Sequence, residues 1–136
     1  MIHVRDIDHV VLRVKDPQAM QHFYEKVLNC PLEKANEEIG LIQLRAGRSL
    51  IDLVPVEGKL GRMGGAAPGE EGHNVDHVCL RLEPFDGEAI RQYLQERGVD
   101  PGEIVQRYGA EGTGPSIYVN DPEGNTIELK GPPESS

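Results

Sequence analysis

Tryptophan is absent from this sequence, and phenylalanine and tyrosine together supply only 4% of its residues. So few aromatics leave no surface on which bases could stack. Positive charge is scarce as well. The 14 Lys and Arg stand against 23 Asp and Glu, giving a net charge of −9, and no run of basic residues forms a local patch. Nucleic acid is therefore not an expected partner. No apolar stretch approaches the roughly 18 residues that a membrane helix needs. The opening Met1-Ile2-His3-Val4-Arg5-Asp6 lacks the apolar core of a signal peptide, so a cytoplasmic protein with no membrane contact is expected. Two cysteines, Cys30 and Cys79, without a CxxC motif exclude a disulfide scaffold. Both are expected to be reduced and to serve as small apolar fillers.

What is present suffices for a single domain over residues 1–136, with 38% apolar residues and dispersed charge. The first feature to settle is internal repetition, because it decides the architecture. Residues 6–14 read DIDHVVLRV and residues 74–82 read NVDHVCLRL, identical at five of nine positions. The two histidines, His9 and His77, stand half a chain length apart. Both copies alternate with period two, as half-buried strands do. Val10, Leu12 and Val14 face one way, and His9, Val11 and Arg13 the other. In the second copy Val78, Leu80 and Leu82 oppose His77, Cys79 and Arg81.

The apolar side of each strand requires a cover, and a helical pattern follows each time. Asp16-Pro17 is a cap and first-turn pair. Met20, Phe23, Tyr24, Val27 and Leu28 then recur at helical spacing, and Pro31 stops the element. In the second half Asp86 caps a helix whose buried stripe is Ala89, Ile90, Tyr93 and Leu94, with Gly98 as its stop. Strand signals follow near Glu33–Ala35, Ile39–Arg45 and Leu50–Val54, with a turn at 46–49. They recur near Ile104–Arg107, Ser116–Val119 and Thr126–Lys130, the last two joined by a tight turn over 120–125. The expected fold class is α+β: two βαβββ modules forming a curved, mostly antiparallel sheet cleft with helices on the outer face. Module 1 covers 1–56, module 2 covers 73–136, and the connector 57–72, which holds six glycines and has no periodicity, is expected to be a mobile loop or lid. The tail 131–136 is expected to fray.

The last strand of each half carries one acid between two apolar residues: Ile51-Asp52-Leu53 and Ile127-Glu128-Leu129. Alternation sends the apolar pair toward the helix, so each carboxylate points to the opposite face, the one assigned to His9 and His77. If the sheets curve toward each other, two imidazoles and two carboxylates converge. That donor set suits Zn, Fe, Mn, Ni or Co, and a divalent cation would remove the cost of desolvating unpaired carboxylates. Arg13, Arg81 and Lys130 share that face and could bind an anionic substrate group, or could pair with nearby acids. His22 and His73 are expected to be solvated, and Cys79 to line the face without acting as a nucleophile.

These residues resemble the glyoxalase, bleomycin-resistance and ring-cleavage dioxygenase group, the vicinal oxygen chelate superfamily. The marks are Asp8-His9-Val10-Val11-Leu12, Phe23-Tyr24 before Val27-Leu28, Asp76-His77-Val78, and Asp121-Pro122-Glu123-Gly124-Asn125 leading into Ile127-Glu128-Leu129. The resemblance spans the whole chain and implies one divalent metal ion per site (Zn, Ni, Fe, Mn or Co), held by His9, Asp52, His77 and Glu128. Asp52 stands where glyoxalase I-like members carry a glutamate, one methylene longer. The leading implication is a glyoxalase-like lyase or isomerase acting on a small α-hydroxy carbonyl or thiol adduct, with Glu128 or Asp52 as proton shuttle. A second is an Fe(II) ring-cleavage dioxygenase built on His9, His77 and Glu128. A third is a metal-free small-molecule or antibiotic-binding protein. Short members of the group pair, so a homodimer is expected, with a small molecule as the other partner.

Overall fold

The two copies of the repeat become edge strands of two four-stranded sheets. The computed structural model describes residues 1–134. In the first half, β1 (His9–Val14) leads into α1 (Pro17–His22) and a π-helical turn (Phe23–Val27), then β2 (Leu32–Asn36), β3 (Leu41–Ala46) and β4 (Ser49–Pro55). A single helical turn, α2 (Lys59–Arg62), lies in the connector. The second half runs β5 (His77–Arg81), α3 (Gly87–Glu96), β6 (Val105–Gly109), β7 (Gly112–Asn120) and β8 (Thr126–Lys130). The sheet orders are β1-β4-β3-β2 and β5-β8-β7-β6. In each, the first strand pairs parallel with the last and the other pairs are antiparallel. The architecture is α+β, two βαβββ modules. The chain divides into two compact units, Met1–Asn74 and from Val75 onward.

Alternation along the strands sets the core of each half. Leu12 and Val14 of β1, Leu44 of β3, and Ile51 and Leu53 of β4 are buried, as are Met20, Phe23, Tyr24 and Val27 from the helical segment. The opposite phase of β1 is open, with Val11 45% exposed. In the second half Ile117, Val119, Ile127, Leu129 and Leu94 are buried. Full burial of each such side chain contributes about 1.5–3 kcal/mol, which fixes strand phase, since a one-residue slip would expose the whole set.

Both helices begin as the sequence dictates. Asp16 Oδ1 accepts from the Ala19 amide at 3.1 Å, and Asp86 Oδ1 from the Ala89 amide at 3.2 Å. The turn before β8 is built by Asp121, whose Oδ1 accepts from the amides of Glu123 and Asn125 and whose Oδ2 accepts from the Asn125 side chain. Gly124 within it has φ +86°, a conformation other residues adopt only with strain.

Several expectations require correction. The first helix does not run as one regular element, because its second half is a π-helical turn ending at Val27. Ala89 is exposed rather than part of the buried stripe, and only Leu94 of α3 is fully buried. The connector is not a featureless loop: it contains α2, and the Arg13 guanidinium donates to the carbonyls of Gly61, Gly65 and Ala66 within it. Asn74 then closes the free side of β1, accepting from the Arg13 amide at 3.0 Å and donating to its carbonyl at 2.9 Å. The tail does not fray over 131–134, because the amides of Gly131 and Glu134 donate to the carbonyls of Pro115 and Thr113 on β7. Residues 135–136 of that tail lie outside the described residues. Among the described residues no helix is long and apolar enough to cross a membrane.

Candidate functional site

In the first half, β4 places Asp52 between buried Ile51 and Leu53, so its carboxylate takes the helix-free face. It is only 3% exposed. Register puts Val11 of β1 on one side of Asp52 and Gln43 of β3 on the other. His9 lies two residues before Val11 on the same face. The Gln43 amide donates to Asp52 Oδ1 and Oδ2 at 3.4 and 3.3 Å, both long contacts. His9 Nδ1 is 2.7 Å from Asp8 Oδ1. That bond, and then the negative charge of Asp52, hold the His9 pKa above its ordinary 6.5.

The second half repeats this plan with a fuller set of donors. Glu128 is 5% exposed and stands in register between Cys79 of β5 and Tyr118 of β7. Fully buried Ser116 donates its hydroxyl to Glu128 Oε2 at 2.6 Å, and the Tyr118 hydroxyl donates to Oε1 at 3.2 Å. His77 Nε2 lies 3.3 Å from Glu128 Oε1, while its Nδ1 is 2.7 Å from Asp76 Oδ1. The His77 and Tyr118 rings meet edge to face at 6.1 Å. Burial, followed by the Glu128 charge, raises the Tyr118 pKa. Cys79 is exposed rather than a core filler, yet desolvation and then Glu128 push its thiol up to about 11, so it is no ready nucleophile. Cys30 is buried and also pushed up to about 11.

The second half brings together the imidazole and the carboxylate that the sequence assigns to one face, at 3.3 Å, while in the first His9 and Asp52 share the face in register with different partners, His9 with Leu50 and Asp52 with Val11. Among the described residues, no three His, Cys, Asp or Glu side chains form a preassembled metal cluster. Each half offers one imidazole and one carboxylate. The chemistry of the donors suits a cation: both carboxylates are nearly buried, and both rings have Nδ1 engaged by an aspartate, leaving Nε2 as the remaining donor atom.

The three cations expected to meet an anionic substrate have protein partners instead. Arg13 grips connector carbonyls, as described above. Lys130 is buried and donates to the carbonyls of Arg107 and Gly114. Arg81 pairs with Glu111 at 2.7 Å and Glu83 at 3.5 Å, both on the surface. His22 and His73 are exposed, in keeping with a solvated role.

Sequence reasoning missed five site residues. Asp8 and Asp76 carried a signal, because each precedes a repeated histidine. Gln43, Ser116 and Tyr118 carried none, since their value comes from cross-strand register.

A family model described as the Glyoxalase/Bleomycin resistance protein/Dioxygenase superfamily matches residues 6–129. No curated protein sequence matches the chain. Among solved structures, virulence protein STM3117 from Salmonella typhimurium is 26% identical, with 96% of this chain and 99% of that one covered at a TM-score of 0.81. A cassette protein, VPC_CASS1, from the mobile metagenome of V. Pseudocholerae is 28% identical over 100% and 99% of the two chains, with a TM-score of 0.77. Lactoylglutathione lyase from Agrobacterium tumefaciens shares the fold at a TM-score of 0.66, with 17% identity over 93% of this chain and 92% of that one.

Proposed function

Because the chain belongs to the glyoxalase, bleomycin resistance protein and dioxygenase superfamily, we propose that it is a divalent-metal-dependent lyase or isomerase of the glyoxalase-like type. Its substrate is a small α-hydroxy carbonyl compound or thiol adduct. The observation that carries this reading is that each duplicate sheet carries one imidazole and one nearly buried carboxylate on its polar face, with His77 Nε2 3.3 Å from Glu128 Oε1.

His9, Asp52, His77 and Glu128 are the proposed ligands, two from each half, for Zn, Ni, Fe, Mn or Co. When bound, such an ion supplies Lewis acidity toward two neighbouring substrate oxygens. The chain's own part is proton transfer. A carboxylate, Glu128 or Asp52, accepts a proton from one substrate carbon and returns it to the adjacent one while the hydroxyl proton passes to the former carbonyl oxygen, so the net change is an isomerisation that requires no oxidant. Ser116 and Tyr118 hold the Glu128 oxygens in place for that exchange. Of the three cations, Arg81 is the exposed one, and it would receive an anionic substrate group by exchanging its surface partners Glu111 and Glu83 while still donating to the Leu82 carbonyl. Arg13 and Lys130 could do so only by releasing backbone carbonyls. The chain is proposed to work as a cytoplasmic homodimer.

The test is steady-state turnover of hemithioacetals, formed from a 2-oxoaldehyde and a small thiol, by protein loaded with each of the five metals. The proposal expects turnover with at least one metal and its loss in Glu128→Gln. Metal uptake without turnover, accompanied by oxygen consumption on a catechol, would transfer the assignment to ring cleavage.

A further inference from the structure

Two aspartates stand outside the proposed ligand set yet touch it in the same way in both halves. Asp8 Oδ1 lies 2.7 Å from His9 Nδ1, and Asp76 Oδ1 lies 2.7 Å from His77 Nδ1. Their side chains are 90% and 98% exposed. Exposed pairs of this kind contribute little to folding, so stability does not account for the duplicated contact. We infer that Asp8 and Asp76 are positioning residues that fix each imidazole in the Nδ1–H form, turned so that Nε2 carries the free lone pair.

The geometry follows from the valence of the ring. A neutral imidazole has one N–H and one lone pair. A carboxylate only accepts, so the nitrogen in the shorter contact with one holds the hydrogen, here Nδ1 at 2.7 Å in both rings, and the other nitrogen is left as donor to a metal. In the second half that nitrogen, His77 Nε2, lies 3.3 Å from Glu128 Oε1, a longer contact than the 2.7 Å to Asp76, so the hydrogen stays on the Asp76 side. Each aspartate therefore works from the solvent side and leaves the opposite nitrogen for a cation. A carboxylate behind the ring also makes Nε2 the stronger donor. This inference rests on the ligand reading above only for its effect on metal affinity; the ring tautomer is a property of the metal-free chain.

The experiment uses the full chain, 15N-labelled and metal-free, at an alkaline pH where the rings are neutral. Two-bond 1H–15N correlation spectra report the tautomer of each histidine, with exposed His3, His22 and His73 as internal references. His9 and His77 should be Nδ1–H. Asp8→Ala and Asp76→Ala should each convert the adjacent ring to the Nε2–H form, and Asp8→Asn and Asp76→Asn, which keep an acceptor oxygen, should preserve it. Zinc affinity, read by competition with a chromophoric chelator, should fall about tenfold to a hundredfold in each alanine variant and less in the asparagine variants. Nε2–H rings in the wild type, or tautomers indifferent to the alanine changes, overturn the inference. Unchanged zinc affinity in the alanine variants of a zinc-binding wild type also overturns it, while leaving the ligand assignment intact. Expected tautomers in a chain that binds no metal support the orienting role and remove the ligand assignment instead.

Discussion

The two halves share a backbone plan but treat their carboxylates differently. In the first half Asp52 sits in a cross-strand row between Val11 and Gln43; in the second Glu128 sits between Cys79 and Tyr118. Asp52 receives one amide at 3.3–3.4 Å. Glu128 receives a serine hydroxyl at 2.6 Å and a tyrosine hydroxyl at 3.2 Å, with His77 at 3.3 Å. The halves share what alternation enforces: the phase of the strands, the buried Ile51/Leu53 and Ile127/Leu129 pairs, and an imidazole on the face of each acid. The donors around the acid lie on the neighbouring strand and differ between the halves, Gln43 on β3 against Ser116 and Tyr118 on β7. Glu128 is the firmly held carboxylate and Asp52 the loosely held one.

The sharpest way to break this comparison is to attack what the halves have in common. Ile51→Ala and Ile127→Ala should each cost about 2–5 kcal/mol in denaturant unfolding, because both side chains are buried behind their carboxylate. A large inequality between them would show that the two cores are not equivalent. The difference itself is tested by the donors. Ser116→Ala removes a short bond to an ionised acceptor and should cost about 1.5–3 kcal/mol. Gln43→Ala removes only long contacts and should cost about 0.5 kcal/mol or less, the low end for such a bond. Equal effects would remove the distinction between a held and a loose carboxylate.

Much of this arrangement was legible from alternation alone. Period two placed His9, Asp52, His77 and Glu128 on the polar face without any knowledge of the fold, and β8 occupies the same residues, Thr126–Lys130, that its pattern indicates. Three things were not legible, each for a physical reason. The parallel pairing of β1 with β4 depends on which strand the returning chain meets, and local pattern says nothing of that. Ser116 and Tyr118 matter only through the register of β7 on β8. Arg13 and Lys130 appeared available for an anion because side-chain pattern cannot show that their hydrogens go to backbone carbonyls.

Smaller effects sharpen the equivalence of the two halves. The helix caps are matched, so Asp16→Ala and Asp86→Ala should each lower stability by about 1 kcal/mol, checked by thermal unfolding. The buried Cys30 thiol provides a test by pH. Its pKa rises from 9.0 to about 11 on folding. Between those values the unfolded thiol ionises while the folded one stays protonated, so Cys30 contributes full stability below pH 9 and loses it as pH rises toward 11. Cys30→Ala should flatten that part of the stability profile and leave the slope below pH 8 unchanged.

Counting metal ions tests the central claim most directly. Calorimetric titration of the metal-free chain, with elemental analysis of the product, should give one divalent ion per chain, and binding should be abolished by either Asp52→Asn or Glu128→Gln. No uptake by the wild type, or an ion retained undiminished when one half's carboxylate is neutralised, would contradict the claim that the halves contribute to a common site.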